Sequence, residues 1–203
     1  MSAKVITITR EFGSGGRTIG RKVAEALGYS FYDWNLVEKI ATETGFAKEF
    51  IEENGEEQGR FSAVFTSSSF GFNLNEQLFE AQSRVVLKLA EQGNCVIVGR
   101  CADYLLRNDP NTISCFIYAN NEARKNRIIN EYGETDVPIE KRLKDKDKRR
   151  KSHYEYFTSR KWGKSFYYDL CIDTGRIPID TAVNLIVEAA KGYQPGLRNT
   201  DGD

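Results

Sequence analysis

The chain opens on a short β-branched run, Val5 to Thr9, that ends at a cluster of glycines. Such a run predicts a buried strand feeding a loop. Ile19, Val23, Ala26 and Leu27 then recur at helical spacing, and Gly28 stands where a helix C-terminus favours a left-handed residue. Strand, glycine loop and helix make the first half of a βαβ unit. Phe31-Tyr32-Asp33 predicts a brief second strand, and Leu36, Val37, Ile40 and Ala41 a helix stopping at Gly45. From about Lys48 to Asn75 the periodicity fades, which predicts a helical or loop insert. Leu78, Ala81, Val85 and Leu89 mark a helix ending at Gly93.

Cys95 to Val98 and Ile113 to Tyr118 are unbroken apolar runs, the pattern of strands covered on both faces. Asn121 to Asn130 and Glu140 to about Arg160 predict helices. Leu170 to Ile172 predicts a last strand, and Ala182, Ile186 and Ala189 a closing helix ending near Gly192. Strands alternate with helices throughout, so the pattern predicts an α/β domain with a parallel sheet and helices on both faces. One domain is expected over 1–194, with an insert at about 48–77, a lid and basic helix at about 130–164, and a flexible tail over 195–203.

Composition refines this outline. Hydrophobic residues make up 40% of the 203 positions, enough for a core. No apolar run approaches the ~18 residues needed to cross a bilayer, and the N-terminus lacks the pattern of a secretory leader. The expectation is a cytoplasmic protein with no membrane partner. Cys95, Cys101, Cys115 and Cys171 have no CxxC spacing, so a zinc site is not expected. Cys95, Cys115 and Cys171 read as small core residues in or beside buried strands. The single His153 offers little acid–base chemistry.

Net charge is zero but unevenly spread. Between Glu140 and Lys164 there are eleven Lys/Arg against four Asp/Glu. Such a block marks an anion partner, a solvated helix, or both. Aromatics follow it, from Tyr154 to Tyr168. The commoner reading is a lid helix packing its aromatic face on the domain, with nucleic acid the less expected partner.

The loop itself carries the sharpest chemistry. A phosphate loop needs glycines because its backbone approaches the anion closely and adopts positive φ. Its amides and the following helix N-terminus attract negative charge. A long cation then reaches the outer phosphates and a hydroxyl holds Mg²⁺. Gly13, Ser14, Gly15, Gly16, Arg17 and Thr18 supply these parts. Arg17 stands where Lys is usual, and Glu11 where the first glycine is usual. Arg100 follows a buried strand and a glycine, where parallel sheets bind ligands. Asp33 also ends a strand, as an N-cap or as a carboxylate for Mg²⁺ water or the acceptor.

Five segments in order resemble the cytidylate kinase-like family of nucleoside monophosphate kinases. They are the loop Arg10 to Arg17, Val98-Gly99-Arg100, the helix Glu122 to Arg127, Asp147-Lys148-Arg149-Arg150, and Tyr168 to Thr174. The resemblance implies a P-loop fold with strand order 2-3-1-4-5. It implies Mg²⁺-dependent transfer of the ATP γ-phosphoryl group to an acceptor nucleotide, CMP or dCMP foremost. Arg17 would then grip the β/γ phosphates and Thr18 would hold Mg²⁺. Arg124 and Arg127 would belong to the lid over ATP. Arg100, Asp147 and Arg150 would engage the acceptor, and Arg17, Arg124, Arg127 and Arg150 would be the catalytic arginines. The insert would bind the acceptor. Val98 and Cys101 stand where ordinary cytidylate kinases carry Asp.

Two other readings stay open. Phe31-Tyr32-Asp33 with Thr44-Gly45 resembles shikimate kinases, which would make the acceptor a different small molecule. Arg17, Glu11 and the basic aromatic segment also suit a catalytically weak nucleotide- or RNA-binding regulator.

Overall fold

The computed structural model describes residues 3–33, 70–133 and 135–195. The expected helix around Leu36 to Ala41, most of the insert and the tail beyond Pro195 lie outside the described residues.

Five strands form one sheet: β1 (Val5–Arg10), β2 (Ser30–Tyr32), β3 (Cys95–Val98), β4 (Thr112–Tyr118) and β5 (Leu170–Asp173). All pairings are parallel, and the spatial order is β2-β3-β1-β4-β5. This is the expected order. β1 takes the centre because Val5, Ile6 and Ile8 are almost wholly buried, and only a central strand is covered on both faces and both edges.

Strand alternation splits the core in two. Ile6, Ile8, Val96 and Val98 face α1 (Gly16–Leu27) and the last helix, α6 (Ile179–Lys191), meeting Ile19, Val23, Ala182 and Ile186. Val5, Cys95 and Ile97 face the other way. They meet Ala81, Val85, Val86 and Leu89 of α2 (Phe70–Gln92) and Ala102 of α3 (Ala102–Leu105). The result is three layers, helix on sheet on helix. α4 (Asn121–Tyr132) and the basic α5 (Ile139–Thr158) complete the α-helices among the described residues. Asn120 caps α4, its Oδ1 accepting from the Ala123 amide at 2.9 Å.

Three details differ from the sequence reading. α2 begins at Phe70, earlier than the Leu78 where the helical spacing starts and within the stretch read as a helical or loop insert. The one-turn helix α3 follows β3 after a three-residue turn; it is too short to show a period. Cys171 is exposed, unlike Cys95 and Cys115. The reason is position: β5 pairs only with β4 and so lies at the sheet edge.

Candidate functional site

The C-terminal ends of β1, β2 and β3 converge on the glycine loop. Gly13 and Gly15 adopt φ of 76° and 82°, the left-handed conformation that glycine takes without strain. A Cβ on Gly15 would also come within 2.5 Å of Ile179 Cδ1. Gly15 is the N-cap of α1, so no side chain caps this helix, and its first turn holds no acid. The first helical amides are therefore left to an anion. Ser14 is fully buried and donates its hydroxyl to Glu11 O at 2.9 Å, which folds the loop on itself.

Arg17 and Thr18 lie in the first turn of α1. Arg17 is half exposed, and its Nε sits 2.6 Å from Asp33 Oδ2 at the end of β2. Asp33 Oδ1 in turn lies 3.9 Å from Arg10 Nη2. One carboxylate thus faces two guanidinium groups.

The back of the loop is tied by residues distant in sequence. The Phe12 amide donates to Asp147 Oδ1 at 2.7 Å. Arg124 is 7% exposed; it pairs through Nη1 with Asp147 and donates to Phe12 O at 3.2 Å. Its Nη2 reaches Asn121 Oδ1, and its Nε lies 3.7 Å from Glu11. Glu11 Oε2 also accepts from the Ala119 amide at 3.1 Å. Burial pushes the Glu11 carboxyl above the ordinary range, although the Ala119 amide and Arg124 pull it back. Arg127 donates to Gly13 O at 2.7 Å and Thr174 O at 3.1 Å. The Thr174 hydroxyl, at 2.7 Å from Ser14 O, fastens the loop to the end of β5.

Beside the loop opens a cleft lined by Thr9, Arg10, Gly99, Arg100, Cys101, Arg149, Arg150, His153, Tyr154 and Trp162. Arg150 Nη1 donates to Arg10 O at 3.4 Å, and its guanidinium lies over the Phe12 ring. The cleft wall is a turn of three consecutive left-handed residues, with φ of 78° at Gly99, 60° at Arg100 and 55° at Cys101. That conformation costs a non-glycine residue about 1–2 kcal/mol, and it places Arg100 on the cleft.

A buried carboxylate fixes the same wall. Asp103 is 3% exposed; Oδ1 accepts from Thr9 at 2.9 Å and Oδ2 from the Tyr154 hydroxyl at 2.8 Å. Burial, then the Asp103 charge, raises the Tyr154 phenol far above its ordinary value. The same two causes, in that order, raise the Cys101 thiol, which stays protonated although His153 Nδ1 lies 3.9 Å away. A nucleophilic role for Cys101 does not fit this setting.

The structure therefore brings the loop, Arg17, Asp33, Arg100 and Arg150 to one sheet end. It places Asp147, Arg124 and Arg127 against the loop's own backbone. Sequence reasoning overlooked Asp103 and gave Arg10 no role of its own. A signal existed for Arg10, because it directly precedes the loop at the end of a strand.

A five-stranded 2-3-1-4-5 sheet with a glycine loop between the first strand and helix defines the P-loop kinase fold. Comparison with known proteins agrees. The cytidylate kinase-like family matches residues 5–176, and the chain belongs to that family. A cytidylate kinase of Archaeoglobus fulgidus is 26% identical over 190 residues, covering 92% of this chain and 94% of that protein. A solved but uncharacterized protein from Eubacterium ventriosum superposes with a TM-score of 0.70 at 28% identity, over 92% of this chain and 97% of the other. Shikimate kinase from Acinetobacter baumannii shares the fold, with a TM-score of 0.52 at 19% identity over 91% of each chain. Family and fold make the chain a kinase-type phosphotransferase. Among the described residues, no helix is long and apolar enough to cross a membrane.

Proposed function

We propose that the protein transfers the γ-phosphoryl group of ATP to the phosphate of a nucleoside monophosphate, CMP or dCMP foremost. The observation that carries this is the cleft beside the loop, which gathers Arg10, Arg100, Arg149 and Arg150. Guanidinium groups suit a phosphate dianion, which they bind bidentately. Shikimate offers one carboxylate and three hydroxyls, and needs far less positive charge.

In this reading the uncapped N-terminus of α1 and the amides of Gly13 to Thr18 hold the donor phosphates. Arg17 exchanges Asp33 for the β/γ oxygens. Arg127, which holds Gly13 O, and Arg124 keep the loop in shape. Arg100 and Arg150 hold the acceptor phosphate. An ionised acceptor phosphate is already a nucleophile, so no general base is required. Positioning and positive charge do most of the catalysis. The wall of Asp103, Thr9 and Tyr154 keeps Arg100 where it meets that phosphate.

Mg²⁺ fits the donor set. Among the described residues no group of three or more His, Cys, Asp or Glu could hold a metal alone. Nucleotide-bound Mg²⁺ needs only one or two protein oxygens, because phosphates and water supply the rest. Thr18 would ligate it and Asp33 would orient its water. When bound, it would neutralise charge on the phosphate oxygens.

Calorimetry in the presence of a non-hydrolysable ATP analogue tests the acceptor side. CMP binds, cytidine does not, and Arg150→Ala weakens CMP by about tenfold, the cost of one charge-assisted contact. Equal binding of CMP and cytidine, or binding of shikimate alone, would remove the phosphate acceptor.

A further inference from the structure

Arg10 closes β1 and opens the loop, yet its side chain does not spread over the surface: only 12% of it is exposed. It runs past the first residue of α1, where a Cβ on Gly16 would come 2.6 Å from Arg10 Cβ. It ends against the turn after β3, where a Cβ on Gly99 would overlap its Nη1. Two glycines on separate elements thus clear one slot for this side chain. At the far end lies Asp33, whose other oxygen holds Arg17. Arg10 lines the cleft with Arg100 and Arg150, and its Nη1 lies beside Gly99, which lines it too. Arg10 therefore stands between the loop and the cleft, at the border of the donor and acceptor sides.

We propose that Arg10 is a catalytic residue whose guanidinium contacts the phosphoryl group in transit. The proposal rests on the phosphate-loop reading. In the transfer, the bond from the γ-phosphorus to the ADP oxygen breaks and its electron pair leaves with ADP. A bond forms from the same phosphorus to an ionised oxygen of the acceptor phosphate, and no proton moves. Negative charge spreads over the oxygens of the phosphoryl group as it crosses. A cation already fixed beside that path stabilises this charge without reorganising. Arg17, half exposed, must first leave Asp33. Arg10 is already held in its slot.

Adenosine 5′-tetraphosphate probes the position directly, because its last phosphate extends beyond the γ position towards the cleft. Its affinity and that of ADP are measured with Mg²⁺ by calorimetry for the wild type, Arg10→Met and Arg10→Lys, alongside thermal melting. The wild type prefers the tetraphosphate. Arg10→Met keeps ADP affinity within about twofold and loses about tenfold or more on the tetraphosphate, and Arg10→Lys recovers part of the loss. A wild-type preference kept intact by Arg10→Met overturns the proposal. So does an equal loss on both nucleotides, which makes Arg10 a support of the loop. If Arg10→Met does not melt cooperatively, Arg10→Lys decides by the same comparison. A wild type that binds neither nucleotide overturns the phosphate-loop reading, and this role of Arg10 with it.

Discussion

Arg17 Nε lies 2.6 Å from Asp33 Oδ2, so the loop cation that would reach the donor phosphates is held by a carboxylate at the end of β2. Asp33 is well shielded while Arg17 is half exposed. The arginine is therefore the partner that can move. Arg17→Ala is expected to lower ATP affinity by about tenfold to a hundredfold and to leave AMP affinity nearly unchanged, because AMP has no β or γ phosphate. Equilibrium titration of both nucleotides checks this.

Removing the carboxylate acts the other way. Asp33→Asn frees Arg17, and a partly exposed pair is worth about 0.2–1 kcal/mol. Metal-free ADP should then bind tighter, by up to about fivefold. If Asp33 also orients Mg²⁺ water, turnover should fall in the same variant. Tighter binding with slower turnover is the expected signature.

Asp147 and Arg124 give a test of what holds the loop. Arg124→Met leaves the Asp147 charge without its buried partner, which costs about 3–5 kcal/mol when such pairs are fully buried and less where water reaches one side. Denaturant unfolding should show the loss. Asp147→Asn is milder: it keeps an oxygen for the Phe12 amide. It should weaken ATP more than the acceptor nucleotide. A loss confined to the acceptor would return Asp147 to the acceptor side.

The beginning of the site was legible in the sequence, and its support was not. β1, the glycine loop and α1 lie in one continuous stretch, with a β-branched run giving way to a helical period. The ties behind the loop join residues far apart. Phe12 meets Asp147 across 135 positions, and Thr9 meets Asp103 across 94. No periodicity carries such pairings. A short motif gave Asp147 an acceptor role, while its hold on the Phe12 amide shows only in the fold. The strained turn at Arg100 and Cys101 was invisible for a similar reason, since neither residue type favours positive φ.

Glu11 should imprint itself on stability against pH. Its carboxyl is raised by burial, so the folded state holds its proton at pH values where the unfolded chain has released it. Between the ordinary glutamate value and the raised one the folded state binds more protons. Stability therefore falls as pH rises through that window. Glu11→Gln removes the titration and keeps an acceptor for the Ala119 amide. Urea unfolding at several pH values should show the wild type losing ground to Glu11→Gln from acid towards neutral pH. Parallel curves would assign the raised value no weight.

The most direct test of the account is ADP release from Mg-ATP with CMP, dCMP, UMP, AMP, GMP and shikimate as acceptors, with Arg17→Ala as control. Turnover is expected with a nucleoside monophosphate, CMP or dCMP foremost; it should fall steeply in Arg17→Ala and be absent with shikimate. Turnover with shikimate alone, or with a monophosphate at a rate indifferent to Arg17, would contradict it.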